Sequence, residues 1–523
     1  MEQGGGEVAA KRPKPADDED FFSALPDDVI VLILLRLDTA AAFRTSALSR
    51  RWRHVWTLLP ELRFHLAPDG HRIRQVLDIR DAPDLRCISV TTQGAGPDSA
   101  AAWLPVAARR LAGSLVYHDM LPGSDDEDEE EEEVEAAAGD RGELQLPCFD
   151  KATMIELNLG YLGLALPSPG IFDRLSELSL RRVRFRGPCE VGGLVSSPRC
   201  PLLKKLEIRD SQGLQNLSIH SVSLLQIKLK NLGSSLRDLT IVAPALQDLC
   251  VKFSLFDDDD DQSEATASIS APQLVSLAWR DVYDPESIRL GDLGQLQRLT
   301  TNYFLVYGLH EDNNSHFLSL IQRFQVLHSL KLSLVYLEDI NDFKYLMGDV
   351  KMLPQIMFLH VAVFSQRHAF GASLFHLLRI CSGLRRLSIV LNSDRDLESG
   401  CQSSCNCDQQ TDWKTAALSL NCLGEVEITG LTGSEHEVVF VKRLLSWGTV
   451  LKKMNIAFDH SIRESQAREI LQILASFSRP KTSVEFYTYH ISTPGLQNAV
   501  LGRSHGVQGV DGGVSGHRVL FEY

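Results

Sequence analysis

Leu203 to Val251 reads LKKLEIRDSQGLQNLSIHSVSLLQIKLKNLGSSLRDLTIVAPALQDLCV. One short pattern, L-x-x-L-x-(L/I/V), recurs through it every ten to twelve residues. The copies are Leu203-Leu206-Ile208, Leu214-Leu217-Ile219, Leu224-Ile227-Leu229, Leu236-Leu239-Ile241 and Leu246-Leu249-Val251. In each, the last two apolar residues flank one polar residue, which is the alternation of a half-buried strand. A strand this short cannot bury its own apolar face. It buries that face against the copies before and after it, so the array is stable only as a stack. Each interior Leu then contributes on the order of 2 kcal/mol of burial.

The pattern extends outward in both directions. Leu175-Leu178-Leu180 precedes the run, and Leu274-Leu277-Trp279, Leu327-Leu330-Leu332, Ile356-Leu359-Val361 and Leu384-Leu387-Ile389 follow it. The leading Leu lies just before each strand, as in a leucine-rich repeat, but the early spacing is about half of a normal repeat period. That predicts coils with one short strand on each of two faces, roughly 20 to 24 residues per full turn. The later copies are further apart. Between them His316 to Gln325 and Ala372 to Ile380 have helical spacing, so the later coils are predicted to be strand-and-helix. The expected fold class is an α/β repeat, a solenoid with strands on an open concave face suited to binding across a broad area.

A second stretch near the N-terminus, Phe22 to Leu59, reads FSALPDDVIVLILLRLDTAAAFRTSALSRRWRHVWTLL. Pro26 suits the first position of a helix. Asp27 and Asp28 follow where the helix dipole favours negative charge. Val29, Ile33 and Leu37 form one stripe, which Ile30 and Leu34 widen. The run is apolar on nearly every side, yet too short to span a bilayer and interrupted by Arg36. Thr39 is predicted to cap a second helix through Ala47, and Ser49 a third on which Trp52 and Trp56 lie one turn apart. Two Trp and an all-round apolar helix exceed what so small a unit can bury. The surplus marks a protein-binding face, or else it packs against the chain's own downstream segments.

Three groups in this stretch resemble a plant-type F-box: Leu25-Pro26-Asp27-Asp28-Val29, Ile33-Leu34-x-x-Leu37, and Arg44-Thr45-Ser46-x-Leu48-Ser49-Arg50-Arg51-Trp52-Arg53-x-x-Trp56. Many relatives carry Pro where this chain has Asp38. The resemblance implies docking onto the Skp-family adaptor of a cullin–RING ubiquitin ligase, through Leu25, Pro26, Val29, Ile30, Ile33, Leu34, Leu48, Trp52 and Trp56. The rest of the chain would then be the substrate receptor.

Near the other end, Asn421 to Phe458 reads NCLGEVEITGLTGSEHEVVFVKRLLSWGTVLKKMNIAF. Val426 and Ile428 mark a strand and Gly430 to Gly433 a turn. Glu435 to Leu445 is a helix with Val438, Val439, Val441, Leu444 and Leu445 turned inward, and Leu451, Met454 and Ile456 make the next strand. This resembles the FBD segment that follows leucine-rich repeats in plant F-box proteins. It is expected to continue and cap the solenoid, with Glu464 to Phe477 as a last helix.

The net charge of −15 is local. Asp125 to Glu135 supplies ten acids and Asp257 to Asp261 five, leaving the remainder balanced. Like-charge blocks repel themselves and are expected to be disordered insertions, with docking to basic partners as the sharper alternative. Nothing in this distribution points to nucleic acid. No segment has transmembrane length, and the polar N-terminus has no signal-peptide core. Ten Cys without paired spacing fit reduced thiols in the nucleus or cytoplasm, and Lys11-Arg12-Pro13-Lys14 would serve as a nuclear-import signal.

The expected organisation is a disordered tail over 1–20, an F-box over 21–62, a linking stretch with first irregular repeats over 63–122, and a disordered acidic insert over 123–143. The solenoid follows over 144–415, with a disordered acidic loop at 256–267 and a Cys-containing loop at 394–412. An FBD-like segment over 416–490 and an irregular tail over 491–523 complete it.

No phosphate-cradling loop, H-E-x-x-H, nucleophile elbow or deaminase pattern is present, so no catalytic residue or cofactor is expected. Cys401, Cys405 and Cys407, with Cys422 as a fourth, are the best metal candidates, but structural zinc prefers C-x2-C to C-x4-C pairs and none is expected. His54 reads as surface decoration. The expected function is a non-catalytic substrate receptor binding a Skp-family adaptor, cullin through it, and a protein target, with no nucleic acid or membrane partner. The alternative is a ligase-independent protein-binding scaffold, placed in the nucleus, that uses the acidic run.

Overall fold

The computed structural model describes residues 25–66, 69–80, 84–121, 141–167, 170–186, 191–232, 236–252, 254, 265–309, 314–392, 405–408, 412–477, 482–491 and 516–521. The expected disordered tail, most of both acidic insertions, Cys401 and most of 491–523 lie outside these residues. The chain divides into two compact units, Met1–Leu175 and Ser176–Tyr523. Among the described residues no helix is long and apolar enough to cross a membrane.

The first unit opens with three short helices, α1 (Asp27–Leu34), α2 (Thr39–Arg44) and α3 (Arg50–Val55), with 3-10 turns after α2 and α3. Four parallel strands follow: β1 (Glu61–Phe64), β2 (Leu85–Gln93), β3 (Leu111–Met120) and β5 (Met154–Asn158). A small separate pair, β4 (Glu143–Gln145) with β6 (Gly163–Ala165), completes it. Leu62, Ile88, Leu115 and Ile155 form one buried row across the four strands. A stacked ladder therefore starts at Glu61. Helices at Gly70–Ile79 and Leu104–Arg110 separate its strands, which is why no short repeat is visible there. At the end of β3 the Asp119 carboxylate is buried. It pairs with Arg141 at 2.6 Å and accepts from the Thr92 hydroxyl at 2.6 Å and the Ala95 N–H at 2.9 Å. Arg141 to Glu143, expected in the disordered insert, are thus part of the packed unit.

In the second unit the half-period copies fall on two sheets. One carries β7 (Glu177–Arg181), β8 (Lys205–Arg209), β10 (Gln226–Lys230), β12 (Asp248–Lys252), β14 (Ser276–Arg280) and β16 (Arg298–Leu305), all parallel. The other carries β9 (Asn216–His220), β11 (Asp238–Val242), β13 (Thr266–Ser270) and β15 (Ile288–Leu290), also parallel. Lys205, Gln226, Asp248 and Ser276 lie side by side, so successive turns take 21, 22 and 28 residues. The long turn holds the Asp257–Asp261 run. Thr266 and Ala267, expected in that loop, already belong to β13. Every apolar residue of the ten sequence copies is buried.

One copy escaped the pattern because its third position is polar. In Leu296-Leu299-Thr301 the Thr301 side chain is buried, and its hydroxyl donates to the Lys331 carbonyl at 3.4 Å. Gly213 ends the turn before β9 with φ +77°, and a Cβ there would lie 2.0 Å from the Phe185 carbonyl oxygen. Only Gly fits both conditions.

The main sheet continues with β18 (Val326–Val335), β20 (Gln355–Phe364), β21 (Arg386–Asn392), β22 (Glu425–Leu431), β23 (Lys453–Phe458) and β24 (Ser483–Ile491), parallel throughout. A two-residue antiparallel pair, β17 (Tyr307–Gly308) with β19 (Lys344–Tyr345), lies beside it, and β25 (Gly516–Phe521) pairs antiparallel with β24. Helices lie before β18 (Ser315–Gln322), between β20 and β21 (Gly371–Ile380), between β22 and β23 (Glu435–Trp447) and between β23 and β24 (Glu464–Ala475). In the third of these, Val438 and Val439 are only half-buried; Phe440 and Trp447 take the core with Val441, Leu444 and Leu445.

Leu249→Ala, in the middle of the stack, is expected to lower stability by about 2 to 5 kcal/mol. Gln226→Ala, on the outward face, is expected to stay within about 0.5 kcal/mol of wild type. Urea unfolding of the two variants measures the difference.

Candidate docking face of the N-terminal helical unit

The start of α1 is set by local chemistry. Pro26 is its cap residue, one position earlier than expected, and its carbonyl accepts from the Val29 and Ile30 N–H groups. Asp27 holds the Arg51 guanidinium at 2.7 Å, and Arg51 also donates to the Leu25 carbonyl. One arginine on α3 therefore fixes where α1 begins. Asp38, the residue at the position of the usual Pro, caps α2 by accepting from the Ala41 N–H at 2.5 Å. Thr39, the predicted cap, is instead buried, and its hydroxyl oxygen accepts from the Arg63 N–H at 2.7 Å. Ser49 caps α3 as expected, accepting from the Trp52 N–H.

The three helices share a small core of Ile30, Leu34, Ala42, Val55, Trp56 and Leu59. Leu25, Val31, Leu35, Trp52 and Val76 pack around it. The Trp56 ring meets Phe43 edge-on, 5.2 Å between centroids at 85°.

This arrangement splits the nine residues expected to dock a partner. Ile30, Leu34 and Trp56 are buried in the unit's own core, where they hold the three helices together. At about 100° per residue Ile30 and Leu34 share one side of α1, Leu32 lies on the opposite side, and Val29 and Ile33 lie on the flank between them. Leu25 and Trp52 are half-buried, and Pro26, Val29, Ile33 and Leu48 are exposed, Leu48 by 69%. Leu32, exposed by 62%, Leu37 and Phe43 are exposed as well and were not singled out from the sequence. An all-apolar helix gives no periodic signal that separates its inner from its outer side. Among the described residues Val76 is the downstream side chain packed against this core, and six large apolar side chains of the helical unit are exposed.

The outward face of the repeat sheet carries a different feature. Arg181, Arg209, Lys230, Lys252 and Arg280 lie in register on five neighbouring strands. Like charges directly opposite one another are destabilising in a sheet, so such a row is not explained by packing. Arg209 is partly balanced by Asp210 at 3.1 Å and Glu207 at 3.8 Å. Further along, burial together with the Lys331 and Arg280 charges pushes His360 down to about 4, so it is neutral near pH 7. Among the cysteine candidates, Cys405 and Cys407 are buried beside His368, Cys422 is exposed, and Cys401 lies outside the described residues.

Residues 22–64 match the F-box domain family, and residues 140–287 match the leucine-rich repeats of an FBD-associated F-box protein, At5g56370. The chain resembles plant F-box proteins with leucine-rich repeats and an FBD segment. The F-box/FBD/LRR-repeat protein At4g03220 of Arabidopsis thaliana is 27% identical over 497 residues, covering 90% of this chain and 95% of its own. The F-box/LRR-repeat protein At3g03360 of the same organism is 49% identical over 67 residues, 13% of this chain and 14% of its own. A third, F-box/FBD/LRR-repeat protein At2g04230, is 26% identical over 284 residues, 51% of this chain and 55% of its own. The exposed apolar residues Val29, Leu32, Ile33, Leu37, Phe43 and Leu48 all fall inside the F-box match.

Trp56→Ala is expected to destabilise the F-box by about 3 to 5 kcal/mol through the cavity it leaves. Leu32→Ser is expected to leave it folded with a shift under about 0.5 kcal/mol. Near-ultraviolet circular dichroism and thermal melts distinguish the two.

Proposed function

We propose that this chain is the substrate-recognition subunit of a Skp–cullin–F-box ubiquitin ligase. The F-box docks the Skp-family adaptor and, through it, cullin, while the repeat unit binds the protein to be ubiquitinated. The observation that carries the reading is that Val29, Leu32, Ile33, Leu37, Phe43 and Leu48 are exposed on a helical unit that has its own buried core. Open apolar clusters of this kind mark protein-binding sites. Leu25, Pro26 and the half-buried Trp52 extend the face; Ile30, Leu34 and Trp56 act behind it by fixing its shape. No bond is made or broken by this chain. It raises the effective concentration of target lysines beside the conjugating enzyme. The segment over 416–490 continues the repeat array, and the chain works in the nucleus, the cytoplasm or both.

The row Arg181, Arg209, Lys230, Lys252 and Arg280 supports an acidic segment as the part of the target that is held. Electrostatic complementarity of this sort sets specificity and association rate more than raw affinity.

Surface variants test the docking face without disturbing its core. Leu32→Glu combined with Leu48→Glu is expected to reduce adaptor co-purification at least tenfold, about 1.4 kcal/mol or more, from a chain with wild-type circular dichroism. Undiminished co-purification from the folded variant contradicts the reading. Lys230→Glu combined with Arg280→Glu is expected to leave adaptor capture intact. It should weaken target retention at low salt, as measured by quantitative mass spectrometry of captured proteins.

A further inference from the structure

We propose that His368, Cys405 and Cys407 form a binding site for a divalent transition-metal ion, with zinc the ion that suits the donor set. The site is independent of the ligase reading. His368 lies after β20, and the two cysteines lie 37 and 39 residues further on, flanking Asn406. All three side chains are buried, and their ligand atoms lie within 4.8 Å of one another. Cys405 Sγ is 3.4 Å from His368 Nδ1.

The imidazole is oriented for this role. Its Nε2 lies 3.0 Å from the Leu337 carbonyl oxygen and 3.1 Å from that of Glu338. Carbonyl oxygens only accept, so Nε2 carries the proton and Nδ1 turns its lone pair toward the sulfurs. A backbone carbonyl on the far nitrogen is the usual outer partner of a metal-binding His. The Tyr336 ring stacks on the imidazole, 6.1 Å between centroids at 25°.

The distances suit a tetrahedral ion. Zn–S near 2.3 Å and Zn–N near 2.0 Å place donors about 3.5 to 3.9 Å apart. The Cys405–His368 pair is close to that spacing already, and no pair needs to close by more than about 1 Å. Other contacts hold the segment in place. Asn406 Nδ2 donates to the Asn341 carbonyl at 2.7 Å, and Trp413 is buried against Gly371, where a Cβ would lie 2.3 Å from the indole. Binding displaces the two thiol protons to solvent and forms two S–Zn bonds and one N–Zn bond. Two thiolates then cancel the charge of the ion, which a buried site requires. Three protein donors leave a fourth coordination position for water or another ligand.

The test uses the full chain, purified under reducing conditions without chelator. Elemental mass spectrometry is expected to find about one zinc per chain. Cys405→Ser combined with Cys407→Ser should lower that at least tenfold, and Cys422→Ser should not change it. Titration of the metal-stripped wild-type chain with Co2+ should produce a thiolate-to-cobalt charge-transfer band, which decides the matter even if the double variant fails to fold. The proposal is overturned if the wild-type chain holds no zinc and gives no cobalt band. It is equally overturned if the double variant retains wild-type metal, or if peptide mapping finds Cys405 and Cys407 joined as a disulfide.

Discussion

A five-residue strand with two buried side chains has nothing of its own to pack against. That constraint organises most of this molecule. Leu206, Ile227, Leu249 and Leu277 stand beside one another because each shelters its neighbour from water. Register follows from the same requirement, since a slip of one residue would turn the leucines outward. With the inner positions committed to packing, only the outward positions, the turns and the loops are left to carry recognition. The row of five cations and the buried cysteine–histidine cluster are found in those remaining places.

The early coils were legible because their signal is strict. Two apolar residues around one polar residue, preceded by a third, recur with little variation from Leu203 to Val251, and the half-length spacing implied strands on two faces. Legibility failed where another force shared the position. Leu296-Leu299-Thr301 was missed because a buried hydroxyl takes the third place and satisfies itself on the Lys331 carbonyl. The ladder from β1 to β5 was hidden by the helices between its strands. On α1 the apolar run told that the helix has more oil than it can bury, but not which side is buried. That depended on where Val55 and Trp56 of the third helix come to rest.

The helical unit and the cysteine cluster teach the same lesson from opposite directions. In the first, residues singled out by resemblance turned out to serve two purposes: Ile30, Leu34 and Trp56 build the unit, and their neighbours present its surface. In the second, spacing along the chain argued against a metal site, because the missing ligand is a histidine 37 residues upstream of Cys405. No local motif contains it. Chain folding brings it there, with its far nitrogen already committed to two carbonyls.

The central claim is that the exposed side of α1, together with Leu37, Phe43 and Leu48, is covered by a Skp-family adaptor. Hydrogen–deuterium exchange of the full chain, alone and with a purified adaptor, measures this directly. The account predicts slowed exchange in peptides spanning Leu25 to Leu48 on adding the adaptor, with the repeat strands unchanged. Unaltered exchange across Leu25 to Leu48 at saturating adaptor, or slowing confined to the repeats, would contradict it.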